Sequence, residues 1–358
     1  MGQDARGGRL VRWTGSGDRV ELDVGDIAQQ VSTGRLPDWR AVDGLVRAAH
    51  ERYRTVEDGE VADYIPILAE ADPTAFGVAV VGVYGGVHEA GDAGQPFSIQ
   101  SISKAFVFAL VCQELGHDAV LERVGVNNTG LPFDSVIAIE LHDGHPQNPM
   151  VNAGALATTA LVPGTHEAER WAFIIDGLSR FAGRRLEVDE VVYESETATN
   201  QRNRAIARLL QSYGRIERES RHVVDLYTRQ CSVLVTARDL ATMGATLADG
   251  GTNPLTGEQV VSAEVARDTL AALAASGLYE RSGEWLFEIG LPGKSGVSGG
   301  IVTIAPGKGG IGTYSPRLDS AGNSIRGQRA TAYLSRSLGL NIFASDVTRR
   351  EAPEGANG

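Results

Sequence analysis

Ser101 and Lys104 stand three residues apart in SISKAF, at the head of a long apolar run. Positions i and i+3 share a helix face, so the hydroxyl and the amine can meet. A serine hydroxyl is a weak nucleophile until a base takes its proton. Lysine can be that base once desolvation or a nearby cation lowers its pKa from the usual value of about 10.4. Help of this kind contributes roughly 10² to 10⁴ in rate. The same spacing also arises by chance at helix starts, so the pair needs support from elsewhere in the chain.

Support comes far downstream. GLPGKSGVSGG sets Lys294, Ser295 and Gly296 in a β-type run that resembles the K-T-G element accompanying S-x-x-K in penicillin-recognising enzymes. Glycines beside such a strand let a substrate approach the backbone, and the Val297 amide could then act as an oxyanion donor. Between the two motifs lie polar residues with more than one reading. Asn152, in NPMVNAGALATT, stands at the natural N-cap of a helix of small residues. Glu196 and Asn203 are seven apart in YESETATNQRN and would share a face if the segment were one helix. Tyr227 and Tyr279 fit ordinary half-buried tyrosines equally well.

The elements that must position these groups can be read from periodicity. ISKAFVFALVCQELG, Ile102 to Gly116, is apolar nearly all round and ends at glycine, which predicts a helix buried at a domain centre. Residues from about 37 to 70 have helical spacing broken by DGE and by Pro66. FGVAVVGVYGG predicts a strand and VHEAGD its hairpin return. Helical patterns dominate from about 150 to 280, whereas EWLFEIGLPGKSGVSGGIVTIAPGKGGIGTYSPRL reads as β-type runs between Gly-rich turns, with a last helix from about Ile325. Strands at both ends of the chain around a helical middle predict an α+β protein: one sheet built from the two ends, and a mostly helical second lobe.

The chain has 358 residues, 42% hydrophobic and 22% charged, within the range of ordinary globular proteins. A net charge of -12 without a dense basic run argues against a nucleic-acid partner. Only Cys112 and Cys231 are present, both in apolar surroundings, which favours free thiols in a reducing compartment over a single disulfide. The N-terminus lacks the apolar stretch of a signal peptide and no apolar run is long enough to span a bilayer, so a cytoplasmic protein without membrane contact is expected. Residues 1–24 and 346–358 read as a flexible extension and a disordered tail around a catalytic unit over 25–345. His142 and His145 in LHDGHPQNP have a spacing that metal sites use, but no H-E-x-x-H or C-x-x-C accompanies them, and neither metal nor cofactor is expected.

From about Asp26 to about Gly339 the chain closely resembles the bacterial and animal glutaminases, a branch of the serine β-lactamase and penicillin-binding-protein fold. The resemblance is carried, in order, by VADYIPILA, FSIQSISKAF, NPMVNAGAL, the SE and RN pairs around Glu196 and Asn203, DLYTRQCS, LADGGTNPLTGE, SGLYERSGEW, GLPGKSGVSGGI and SPRLDSAGNSIRG. It implies a β-lactamase-like antiparallel sheet flanked by helices, and hydrolysis of L-glutamine to L-glutamate and ammonia. It further implies that Ser101 is the nucleophile, Lys104 its base partner and Tyr279 a proton-transfer group, with the amides of Ser101 and Val297 as oxyanion hole. Tyr64, Asn152, Glu196, Asn203 and Tyr227 match positions that hold the amino-acid end of the substrate. A homodimer or homotetramer is implied as well. The rivals are a β-lactam or peptidoglycan hydrolase, which works outside the cytoplasm, and a catalytically silent relative, which an intact Ser101, Lys104, Tyr279 and Lys294 set argues against.

Overall fold

The alternation in FGVAVVG sends Val78 and Val80 to one side of a strand and Ala79 and Val81 to the other, and all four are buried, in two different hydrophobic clusters. A strand with two apolar faces must be covered twice, and that requirement organises the molecule. The structure is a computed structural model that describes residues 22–28, 30 and 36–345. Of the expected N-terminal extension only 22–24 are described, and Val24 is buried; the expected tail lies outside the described residues.

In chain order the described strands are β1 (Glu60–Val61), β2 (Gly77–Gly82), β3 (Val87–Gly91), β4 (Phe97–Ser98), β5 (Leu234–Val235), β6 (Gly293–Ser295), β7 (Gly300–Ala305), β8 (Gly309–Tyr314) and β9 (Arg317–Leu318). The helices are α1 (Trp39–Tyr53), α2 (Ser103–Leu115), α3 (His117–Leu121), α4 (Ile137–Glu140), α5 (Asn152–Ala160), α6 (Glu167–Ala182), α7 (Glu190–Thr199) and α8 (Gln201–Ser212). They continue as α9 (Ser220–Cys231), α10 (Ala237–Ala248), α11 (Ala263–Ser276), α12 (Ser282–Glu288) and α13 (Ile325–Ser337).

Five strands form one sheet in the order β3-β2-β8-β7-β6, antiparallel throughout, so β6 with the K-S-G residues is an edge. Helices α1 and α13 cover one face. On the other, α10 lies directly on β8, with α2 behind it. The contact is close because β8 is Gly-rich: a Cβ on Gly310 would collide with the Ala241 carbonyl, and one on Gly312 with the Ala237 carbonyl. The second lobe is helical, with α5, α8 and α9 packed around Leu156, Ile206, Leu210, Val223 and Tyr227. The expected α+β layout is present, with β2 and β3 from the first part of the chain joined to β6, β7 and β8 from the last.

The strand over 77–82, its return, the buried helix ended by Gly116 at φ 80° and the last helix from Ile325 all match the sequence reading. Three expectations need correction, and one conditional reading is resolved. The helical spacing over 37–70 yields only α1, followed by β1 and a 3₁₀ turn over Pro66–Glu70. The expected β run at EWLFE is helix α12, because Trp285 turns inward to donate its indole N–H to the Leu291 carbonyl at 2.7 Å while Phe287 points outward. YESETATNQRN is not one helix: α7 and α8 meet at Asn200. Asn152 is not an N-cap, since Val151 occupies that position and the Asn152 side chain is engaged elsewhere.

Candidate active site

Ser101 sits in a tight 3₁₀ turn, Gln100–Ile102, between the end of β4 and the start of α2. The turn opens on Gln100 at φ 50°, a left-handed conformation that costs a non-glycine residue about 1–3 kcal/mol and clusters at functional sites. The K-S-G strand lies against it. A Cβ on Gly296 would stand 2.9 Å from the Ile99 carbonyl and 3.3 Å from Gln100 Cβ, so glycine is what lets the two segments touch. Ser298 secures the contact by donating to the Ser98 carbonyl at 2.6 Å. Among the described residues no group accepts a hydrogen bond from the Val297 amide, which lies in the turn between β6 and β7.

Lys104, one helical turn beyond Ser101, is fully buried. Its Nζ donates to the Met150 carbonyl at 3.1 Å and to Asn152 Oδ1 at 2.7 Å, and it lies within 6.0 Å of the ring centroids of Phe133, Tyr227 and Tyr279. No described carboxylate forms an ion pair with it. Burial therefore dominates and pushes the amine down to about 7, against a weaker pull upward from Cys231, Glu196 and Asp134.

Tyr279 also holds a left-handed backbone, φ 57°, with its carbonyl tied down by Ser282 Oγ at 2.8 Å and Asn128 Nδ2 at 3.2 Å. Burial raises the phenol's pKa far more than its interaction with the Ser101 side chain lowers it, so at neutral pH the group is a phenol. Lys294 Nζ stands 3.9 Å over the same ring and donates to its neighbour's carbonyl, Ser295, at 2.9 Å; burial, then the nearby Lys104, lowers its pKa well below the usual range.

Beside this cluster a cavity of about 270 Å³ is lined by Tyr64, Phe133, Asn152, Glu196, Arg202 and Asn203, among others. Glu196 is buried in its wall, and desolvation pushes the carboxyl up to about 7, opposed by a hydrogen bond from Gln100 Nε2 at 3.3 Å. Asn152 joins cavity and cluster: its oxygen faces Lys104 and its amide donates to Asn203 Oδ1 at 2.9 Å. Tyr64 is exposed, at 56%, whereas Asn152 and Glu196 are buried. A larger cavity of about 930 Å³, lined by Trp171, Arg180, Arg229 and Glu258 among others, contains none of these groups.

All nine residues expected at the site thus gather on two adjoining surfaces, Ser101, Lys104, Tyr279, Val297 and Tyr227 around the nucleophile turn and Tyr64, Asn152, Glu196 and Asn203 around the cavity. Among the described residues no three His, Cys, Asp or Glu side chains converge, and His142 is exposed. Sequence reasoning missed Gln100, whose type carries no chemical signal. It also missed Phe133 and the Arg202–Asp134 contact at the cavity wall, where Arg202 donates to the Asp134 carbonyl at 2.8 Å. Both cysteines are free and buried.

An antiparallel sheet covered on both faces, a buried S-x-x-K helix start and a K-S-G edge strand define a protein of the β-lactamase-like fold. The glutaminase family matches residues 59–343. Glutaminase 2 of Yersinia pestis is 55% identical over 320 residues, 89% of this chain and 94% of that protein. The glutaminase of Colwellia psychrerythraea is 46% identical over 309 residues, 86% and 99% of the two chains. Among solved structures, one described as a probable glutaminase superposes with a TM-score of 0.85 at 44% identity, covering 86% of this chain and all of its own. A probable glutaminase of Bacillus subtilis gives 0.79 at 34% identity, covering 84% and 97%. The chain belongs to the glutaminase family and is an enzyme that hydrolyses glutamine to glutamate.

Proposed function

We propose that Ser101 opens the side-chain carboxamide of free L-glutamine through a seryl ester, with Lys104 as base, Tyr279 as proton donor and the cavity at Glu196 as the seat of the amino-acid end. The observation that carries this reading is the state of Lys104: a buried amine one turn from Ser101, hydrogen-bonded to oxygens yet ion-paired with no described carboxylate. Held near neutrality, it can take a proton at physiological pH.

Ser101 Oγ attacks the carboxamide carbon and its proton passes to the Lys104 amine. The oxyanion is received by the amides of Ser101 and Val297; loss of one such donor costs about 2.7–4 kcal/mol in a comparable hydrolase. Collapse breaks the C–N bond as the Tyr279 phenol gives its proton to the leaving nitrogen, and the Lys104 ammonium restores the phenol. Water then repeats the sequence on the ester and releases glutamate. The substrate's ammonium needs an anion, for which Glu196 is the candidate, while its carboxylate suits neutral donors from Asn152, Asn203, Tyr64 and Tyr227. Blocking the ammonium as a peptide bond would therefore exclude peptide-bound glutamine.

A coupled glutamate-release assay on wild type and Ser101→Ala tests the assignment, with mass spectrometry of the SISK peptide after treatment with a glutamine-mimicking diazo-ketone. Activity near wild type in Ser101→Ala, or an unlabelled SISK peptide in inactivated enzyme, removes Ser101 from the mechanism.

Two buried free thiols support a reducing, cytoplasmic setting, and no helix among the described residues is long and apolar enough to cross a membrane. The catalytic unit is assigned to residues 25–345, assembled as a homodimer or homotetramer; light scattering on the purified protein distinguishes these from a monomer.

A further inference from the structure

We propose that Ser103 and Gln230 are positioning residues for the amide hydrolysis, locking the left-handed turn that presents Ser101. The inference rests on Ser101 as nucleophile.

Ser103 sits between the two reacting residues in sequence, yet its hydroxyl points the other way and donates to the Gln100 carbonyl at 2.7 Å, a carbonyl that the Ser103 amide also reaches. The same hydroxyl accepts from Gln230 Nε2 at 3.1 Å. Gln230 Oε1 in turn accepts from Thr159 Oγ1 at 3.4 Å. Ser103, Gln230 and Thr159 are all at most 1% exposed, so water cannot replace any lost partner.

The chain of bonds runs from the turn to α9 and on to α5. Those helices also carry Tyr227 and Asn152, and Asn152 holds Lys104. The brace therefore fixes the nucleophile's backbone to the elements that bear its base's partner and the cavity wall. Gln100 is the residue under strain, at φ 50°, and the brace grips its carbonyl. Without the brace the turn is free to relax toward right-handed backbone, which moves Ser101, while Glu196 and Asn203 keep their places on α7 and α8 and only the 3.3 Å bond from Gln100 to Glu196 is disturbed. Such a displacement alters the approach of Oγ to the carboxamide more than substrate affinity.

The test compares Gln230→Met, which keeps the volume and removes both hydrogen bonds, with Ser103→Ala. It measures kcat and KM for glutamine and the rate at which the diazo-ketone labels Ser101, all normalised to the labelled fraction. A displaced nucleophile predicts that kcat and labelling rate fall together by about 10- to 100-fold, with KM within about threefold of wild type. The double variant should be no slower than the worse single, because the two residues form one chain. Gln230→Met carries the test by itself should Ser103→Ala fold poorly. A kcat within about twofold of wild type in Gln230→Met, a KM that rises at constant kcat, or additive losses in the double variant overturns the proposal. If wild-type Ser101 resists labelling while the enzyme is inactivated, the nucleophile assignment falls and the brace with it, whereas normal labelling with unchanged variants removes the brace alone.

Discussion

The Lys104 side-chain nitrogen lies 2.7 Å from Asn152 Oδ1, so the proposed base is oriented by a neutral oxygen and not by a carboxylate. That choice keeps the amine near neutrality. Asn152→Asp preserves the shape and places an anion on the amine, which favours the ammonium and raises its pKa from about 7. A Lys104 that must be neutral to act then becomes active only at higher pH. The expected outcome is a kcat-pH profile whose acid limb moves up by about one unit or more, with most activity lost at pH 7. A limb that stays in place while activity survives would remove Lys104 as base.

In the wild type the acid limb should contain two groups. Burial lowers Lys104 to about 7 and raises Glu196 to about 7, and both are in their working forms, amine and carboxylate, only above that pH. On the free enzyme, log kcat/KM should thus climb through the region below pH 7 with a slope approaching about 2. Once glutamine is bound its ammonium holds Glu196 ionised, so kcat should show the single ionisation of Lys104. KM therefore rises as pH falls from about 8 to 6. Initial rates over a range of glutamine concentrations at each pH check both limbs.

The fold was legible where one physical requirement dominates. A strand buried on both faces reads as an apolar run, and α2, buried all round, ends at a glycine with φ 80°. Periodicity failed where a single tertiary contact decides, as with Trp285, whose indole bond to Leu291 fixes α12. Ser101 and Lys104 were readable as a candidate pair from their spacing together with the distant K-S-G run, because i and i+3 share a helix face. Gln100, Ser103 and Gln230 were not, since their function lies in a left-handed turn and a buried bond chain that bring residues 127 positions apart together. For Asn152, Glu196 and Asn203 residue type left a bland alternative open, and the meeting of α5, α7 and α8 around one cavity is what favours the functional one.

Glu196→Gln should separate recognition of the ammonium from chemistry. The variant keeps the carboxyl's size and one acceptor oxygen but removes the charge. A hydrogen bond to a charged group contributes about 1.5–3 kcal/mol, which corresponds to roughly a 10- to 150-fold loss in kcat/KM for glutamine. Des-amino glutamine, 4-carbamoylbutanoate, has no ammonium to lose, so the variant should process it at least as well as the wild type does. Steady-state kinetics with both substrates check this, and an equal loss on both would place the ammonium elsewhere.

Gly312 tests the packing that holds the sheet beneath the site. A Cβ there would collide with the Ala237 carbonyl and stand 2.7 Å from the Ala241 amide, both on α10 and both backbone atoms with no rotamer to yield. Gly312→Ala should therefore force α10 off β8 at a cost of about 1–3 kcal/mol, seen as a fall in Tm of roughly 3 °C or more. Activity per folded molecule should persist, because Gly312 lies in the central strand and not at the edge that carries Lys294. Gly283 in α12 is the counterpart, since a Cβ there meets nothing within 4 Å. Gly283→Ala should be neutral or stabilising by up to about 1 kcal/mol, through the helix propensity of alanine. Thermal or urea unfolding of the two variants side by side decides the matter, and a Gly312→Ala protein as stable as wild type would show that α10 can give way.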